Sequence, residues 1–169
     1  MTIYFWIILA VCVLDQLTKV WSMDVIAAAN QISAAALTNG CTKPIAEGVL
    51  HLTYLENKGM SFGLLADHRW VFLTLSTVGI LLLFFYLIYI RGKDRLLSTA
   101  LALIIGGGIG NMFDRLTLGY VVDFFDFRLF SFWKWIFNFA DACVCVGAGL
   151  MILAVLLEYR REQKEKKHG

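Results

Sequence analysis

Two aspartates stand where a carboxylate is hard to explain. Asp123 sits between Val121-Val122 and Phe124-Phe125, and Asp141 is the only charged residue in the apolar stretch Ile136–Leu157. Two carboxyl groups in a low-dielectric pocket cannot both ionise easily. One is pushed to hold its proton while the other stays charged. The charged member can take a proton from water, and the protonated one can donate to a carbonyl oxygen. That division of labour is the one aspartic proteases use. It calls for no metal and no cofactor, and none is expected. His51, His68 and His168 are scattered outside the apolar stretches, and Ser61 has no adjacent histidine to activate it.

Other polar residues fall near the same depth. Asp15 and Lys19 are four apart and can pair on one helix face. Asn111, Asp114 and Arg115 lie at the end of a third apolar stretch, and Asn138 lies at the start of the fourth. An ionisable residue inside a membrane span is a functional hypothesis by default. Asp15 with Lys19 reads as a structural ion pair, and Asp114 with Arg115 as a helix-end anchor.

The elements that must position these groups are apolar. The chain has 169 residues, of which 59% are hydrophobic and 17% charged, with a mean hydropathy of +0.70. Soluble domains run about 45–50% apolar and about 25% charged, so a soluble globule and a disordered chain are both disfavoured. A net charge of +2 implies no nucleic-acid partner. Ile3–Trp21, Trp70–Ile90, Leu96–Phe113 and Ile136–Leu157 hold only Asp15, Lys19 and Asp141 as charged residues. A spanning helix needs roughly 20 apolar residues, so four membrane spans are expected.

Arg91, Lys93 and Arg95, with Arg160, Arg161, Lys164, Lys166 and Lys167, cluster at span ends on one side. The positive-inside rule then puts both termini in the cytoplasm, with the tail as an anchor. Trp6, Trp21, Trp70, Trp133 and Trp135 fall near span ends, where aromatic rings prefer the interface. Ala27-Ala28-Ala29 resembles a cleavage site, but no basic residue precedes the first apolar run and Asp15, Gln16 and Lys19 interrupt it. The first stretch is therefore expected to be a mature helix.

Residues 22–47 read as a loop or short interfacial helix. Val49–Leu55 reads as a strand, Glu56–Gly59 as a turn and Ser61–Leu65 as a second strand. Phe127–Trp135 suits a strand or a chain in the headgroup layer. Ala102, Gly106 and Gly110 form a small-residue stripe. Close packing of the third and fourth helices is expected to bring Asp123 and Asp141 together. Cys12, Cys143 and Cys145 read as small apolar filler, and Cys41 has no obvious partner. On these residues alone, a proton- or cation-binding transporter and a non-enzymatic assembly factor stay open beside an enzyme. Transporters favour midplane sites and internal repeats, and no repeat is visible.

Five segments carry a resemblance. They are Asp15-Gln16-Leu17-Thr18-Lys19, Asn57-Lys58-Gly59-Met60-Ser61-Phe62, Gly110-Asn111-Met112-Phe113-Asp114-Arg115, Val121-Val122-Asp123-Phe124 and Phe137-Asn138-Phe139-Ala140-Asp141. In this order they resemble the lipoprotein signal peptidases, or signal peptidase II. The resemblance implies a single all-α membrane domain over residues 1–169: four transmembrane helices, a small extracytoplasmic β-cradle at Val49–Leu65 and an interfacial segment. It implies an aspartyl endopeptidase of the bacterial cytoplasmic (inner) membrane, with its site near the outer leaflet. The substrate would be a diacylglyceryl-modified prolipoprotein cut before its lipidated cysteine, met among membrane lipids by a monomeric enzyme. Asp123 and Asp141 map onto the catalytic pair. Asn57, Gly59, Asn111, Arg115 and Asn138 map onto substrate-binding positions, and Asp15, Lys19 and Asp114 onto supporting ones. Two features depart from the family: Met60 follows Gly59 where a small residue is usual, and Ala27–Glu47 is longer than is typical.

Overall fold

The computed structural model describes residues 1–59, 69–90, 92–129 and 135–168. The helices are α1 (Thr2–Ala29), α2 (Arg69–Ile90), α3 (Arg95–Thr117) and α4 (Phe139–His168). The strands are β1 (Thr42–Ala46), β2 (Leu50–Asn57), β3 (Val121–Phe127) and β4 (Ile136–Phe137), and a 3-10 turn covers Ala34–Ala36. Each helix contains a stretch long and apolar enough to cross a membrane. Their outer faces are apolar too, with Leu82, Phe85 and Ile152 all exposed. A helix that is apolar all round is one whose solvent is lipid.

The strands form one antiparallel sheet in the order β1-β2-β3-β4. Pro44 opposes His51 on the edge strand β1, where a missing N–H leaves no ladder bond unmade. The short β4 is held by rings as well as by pairing: Phe137 packs on Phe125 and stacks on Phe127.

α3 is the hub, packing on α1, α2 and α4. Asp94 caps its N-terminus by accepting from Leu97 N at 2.9 Å. There are two apolar cores. One gathers Tyr4, Ile8, Leu87, Leu101, Ile105 and Ala154 between the helices. The other gathers Ile26, Leu37, Leu52, Tyr54, Val122 and Phe124 where α1 meets the sheet. On α1, Ile8 belongs to the first core and Ile26 to the second, and buried Asp15 and Lys19 lie between them. The polar residues therefore form a layer between two apolar ones.

Several boundaries differ from the sequence reading. Residues 22–29, expected as a loop or short interfacial helix, continue α1, because Ile26 and Ala27 bury themselves against the sheet. Thr42–Ala46, expected within that loop, is β1, formed because β2 offers it an open edge. β2 runs through Asn57, past the expected start of the turn. Ser61–Leu65, Met60 and Trp133 lie outside the described residues, as do 130–134 of the expected Phe127–Trp135 segment. α3 continues to Thr117, so Asp114 and Arg115 are inside the helix. Ile136-Phe137 is a strand, and α4 begins at Phe139, which makes Asp141 its third residue. α4 also runs on past Leu157 to His168.

The small-residue stripe faces a different neighbour from the one expected. A Cβ on Gly106 would lie 2.8 Å from Val11 Cβ, and one on Gly110 2.6 Å from Asp15 Oδ2, both on α1. It is Gly107 that meets α4, where a Cβ would lie 2.5 Å from the Ala140 carbonyl oxygen. Gly147 returns the contact from α4 against Ile104 and Ala100.

Candidate active site

Asp123 stands on β3 and is 1% exposed. Its strand is set by the helix before it, because Asp114 Oδ2 accepts from Val122 N at 3.1 Å. Both Asp123 oxygens accept side-chain amides. Asn57 Nδ2 on β2 reaches Oδ2 at 2.9 Å, and Asn138 Nδ2 reaches Oδ1 at 2.7 Å. Burial, and then the negative charge of Asp141, push the Asp123 carboxyl up to about 7, against the pull of these two amides.

Asp141 is placed by a reciprocal cap. Asn138 precedes α4, and its Oδ1 accepts from Asp141 N at 2.9 Å, while Asp141 Oδ2 accepts from Asn138 N at 3.3 Å. This is a capping box with an asparagine and an aspartate in the two roles. The other oxygen, Asp141 Oδ1, accepts from Asn111 Nδ2 at 2.7 Å. Asp141 is half-buried, whereas Asp123 is closed off. The fully buried Asn138 thus touches both aspartates, and its Nδ2 also reaches Asn111 Oδ1 at 3.0 Å.

A buried cluster of charged side chains adjoins them. Lys19 Nζ is 2.7 Å from Asp15 Oδ2 and 2.8 Å from Asp114 Oδ2, with all three side chains buried. Asp15 Oδ1 accepts from Ala140 N at 3.0 Å, satisfying one of the orphan amides at the start of α4. Arg115 lies within electrostatic reach of Asp141, Asp123 and Asp114, and its Nη1 donates to Asn111 O at 3.4 Å. Gly59 N donates to Asn57 Oδ1 at 3.2 Å, an Asx turn that holds the Asn57 side chain.

The structure therefore gathers Asp15, Lys19, Asn57, Asn111, Asp114, Asp123, Asn138 and Asp141 into one hydrogen-bonded cluster, with Gly59 and Arg115 at its margin. Gln16 belongs to it as well and was not singled out in the sequence. Its Nε2 donates to Asp114 Oδ1 at 2.9 Å. Its signals were an amide next to Asp15 in an apolar run and its place in the segment Asp15–Lys19. Among the described residues, no three His, Cys, Asp or Glu side chains converge to hold a metal ion.

Chemically, the arrangement offers two carboxyls in unlike surroundings, one enclosed and pushed up by burial and one more open. The amides around them are fixed as donors.

The sequence profile of the family described as Signal peptidase (SPase) II matches residues 7–157. The lipoprotein signal peptidase of Halalkalibacterium halodurans is 36% identical over 164 residues, covering 97% of this chain and 98% of the relative. That of Clostridioides difficile is 37% identical over 158 residues, covering 91% and 95%. Two solved structures, each described as a bacterial membrane enzyme studied by the in meso method, are similar in fold. One has a TM-score of 0.73 at 27% identity and covers 94% of this chain and 90% of its own. The other has a TM-score of 0.72 at 28% identity and covers 92% and 94%. With the profile matched over most of its length and relatives aligned nearly end to end, this chain belongs to the signal peptidase II family.

Proposed function

We propose that this chain is an aspartyl endopeptidase that removes the signal peptide from diacylglyceryl-modified prolipoproteins, cutting before the lipidated cysteine. The observation that carries the chemistry is the unlike placement of Asp123 and Asp141 around Asn138, one enclosed and one half-open. The names of the relatives support the substrate class.

In this mechanism a water sits between the two carboxyls. Asp141 takes one proton from it as the oxygen attacks the scissile carbonyl carbon. Asp123 gives its proton to the carbonyl oxygen, producing a neutral tetrahedral diol. Asp141 then protonates the leaving nitrogen, the C–N bond breaks, and a diol hydroxyl returns its proton to Asp123. Splitting acid and base between two environments is what lets one residue type do both tasks. Asn57, Gly59, Asn111 and Arg115 surround the path and hold the substrate backbone, while the buried Asn138, expected among them, is committed to the two aspartates.

The whole chain works as one membrane domain, and as a monomer, in the bacterial inner membrane. Both termini are cytoplasmic, and the polar layer lies in the outer leaflet. A diacylglyceryl group confines the substrate to that leaflet, so the scissile bond arrives at the depth of the pair.

The test is incubation of purified protein with lipidated and unlipidated precursor. Cleavage of the lipidated form alone, unaffected by a chelator, is expected. Asp123→Asn and Asp141→Asn should each remove activity, by about 10³-fold or more on the scale of losing an essential acid or base. Near-normal cleavage by either folded variant would end the dyad reading.

A further inference from the structure

Among the described residues no side chain of α1 hydrogen-bonds to Asp123 or Asp141, yet two of them end on residues next to Asp141. Asp15 Oδ1 takes the N–H of Ala140, the residue just before Asp141, at 3.0 Å. Lys19 Nζ lies 3.2 Å from Asn111 Oδ1. Asn111 is the residue whose Nδ2 reaches Asp141 Oδ1 at 2.7 Å.

An amide side chain is nearly symmetric in shape and can present either its oxygen or its NH2 to a neighbour. At Asn111 that choice is made by its surroundings. Its Oδ1 faces two donors, the Lys19 ammonium and Asn138 Nδ2 at 3.0 Å. A flipped amide would set an NH2 group against both donors and an oxygen against the Asp141 carboxylate. All three contacts would then be like against like, in a buried site where a misplaced polar group is costly. Asn138 alone would not fix the choice, because its own Nδ2 has Asp123 Oδ1 and Val122 O as alternative acceptors. The ammonium has only donors to offer, so it cannot tolerate the flipped state.

On the reading of Asp123 and Asp141 as the catalytic pair, we infer that Lys19 is a positioning residue: through Asn111 it keeps an N–H pointed at Asp141. Its contacts with Asp15 and Asp114 hold the fold, and its contact with Asn111 serves catalysis.

The experiment separates these two jobs. Lys19→Met and Lys19→Gln are each combined with Asp15→Asn, so that the buried cluster keeps its net charge and residue 15 keeps an oxygen for Ala140 N. The two double variants are nearly equal in size and equal in charge, and only the glutamine retains an N–H donor. Asp15→Asn alone is the reference.

The methionine variant should lose at least tenfold in kcat with KM within about threefold of the reference, the sign of an interaction that matters in the transition state. The glutamine variant should recover most of that loss. Both should melt at similar temperatures in detergent. In an Asn111→Ala background, the difference between methionine and glutamine should vanish. Equal kcat in the two double variants, or a difference that persists without Asn111, overturns the inference.

Should neither double variant fold, the unaltered protein carries the test. With 15N-lysine and 13C-asparagine labels, a direct Lys19 Nζ–Asn111 Cγ contact is expected by solid-state NMR, and its absence overturns the inference. Failure of the dyad is a separate result, read from Asp123→Asn and Asp141→Asn.

Discussion

Asp123 and Asp141 are the same residue type in unlike surroundings, and that difference makes a pH prediction. Burial raises the Asp123 carboxyl to about 7. If Asp123 must be protonated to act, kcat/KM should fall as pH rises through that value, by about tenfold per pH unit beyond it. The Asn57 amide pulls the other way, so Asn57→Ala should move this limb to higher pH. A flat profile across the same range would show that no proton on Asp123 is needed. The sign for stability is the same: folding gains from the raised carboxyl at low pH and loses that gain as pH climbs toward 7. Asp15 makes a different prediction, because its bonds go to Lys19, Gln16 and Ala140 N and none goes to the pair itself. Asp15→Asn should cost about 1–3 kcal/mol of stability, the scale of a charged hydrogen bond, and leave kcat within about threefold. Normal melting with a lost kcat would reverse that assignment. An acid inside Val121–Phe125 was conspicuous in the sequence, and so was one inside the fourth apolar stretch. Which amide serves which acid was not, because Asn57 is 66 residues from Asp123 and Asn111 is 30 from Asp141. Spacing along a chain reports shared helix faces and says little about contacts across such separations.

At the level of elements, α4 must begin where it does for Asp141 to face Asp123, and α3 holds that start in place. Gly107 lets α3 approach to where a Cβ would lie 2.5 Å from the Ala140 carbonyl and 2.9 Å from Val144 Cγ2. Gly107→Ala should therefore push the first turn of α4 away, destabilising the protein by about 1–3 kcal/mol and lowering activity through Asp141. Gly149→Ala is the control. A Cβ there meets nothing within 4 Å, and alanine is the better helix former, so stability should hold or rise slightly. Equal behaviour of the two variants in thermal melts would mean that the α3–α4 approach is not tight. The stripe Ala102, Gly106 and Gly110 was legible as a close contact, but its partner is α1, where the sequence pointed to α4. Periodicity identifies a face, and only the assembled bundle says which helix lies against it. β1 was illegible for a related reason. Its Thr-Lys-Pro-Ile-Ala sequence has little strand character of its own, and it pairs because β2 presents an edge.

For the molecule as a whole, 59% hydrophobic and 17% charged residues on four apolar stretches already required a membrane protein. The layered interior was not contained in those figures. It arises because α1 runs past the membrane-length segment into the sheet, carrying one apolar core at each end and the charges between. That geometry ties the site to one side of the bilayer. The sheet, Asn57, Asp123 and the start of α4 are all on the side away from Lys93, Arg95 and the basic tail Arg160–Lys166. If the basic clusters are cytoplasmic, the sheet and the aspartates face outward, where lipidated precursors emerge. Cys41 reports on this directly, since it is a free, partly exposed thiol just before β1. A membrane-impermeant maleimide applied to intact cells should label Cys41. The same reagent should fail to label an added Arg160→Cys thiol in a Cys41→Ser background until the membrane is opened. Cys12, Cys143 and Cys145 lie within spanning helices and should stay silent in both cases. Labelling at position 160 from outside would invert the molecule and place the aspartates on the side where no lipidated precursor awaits cleavage.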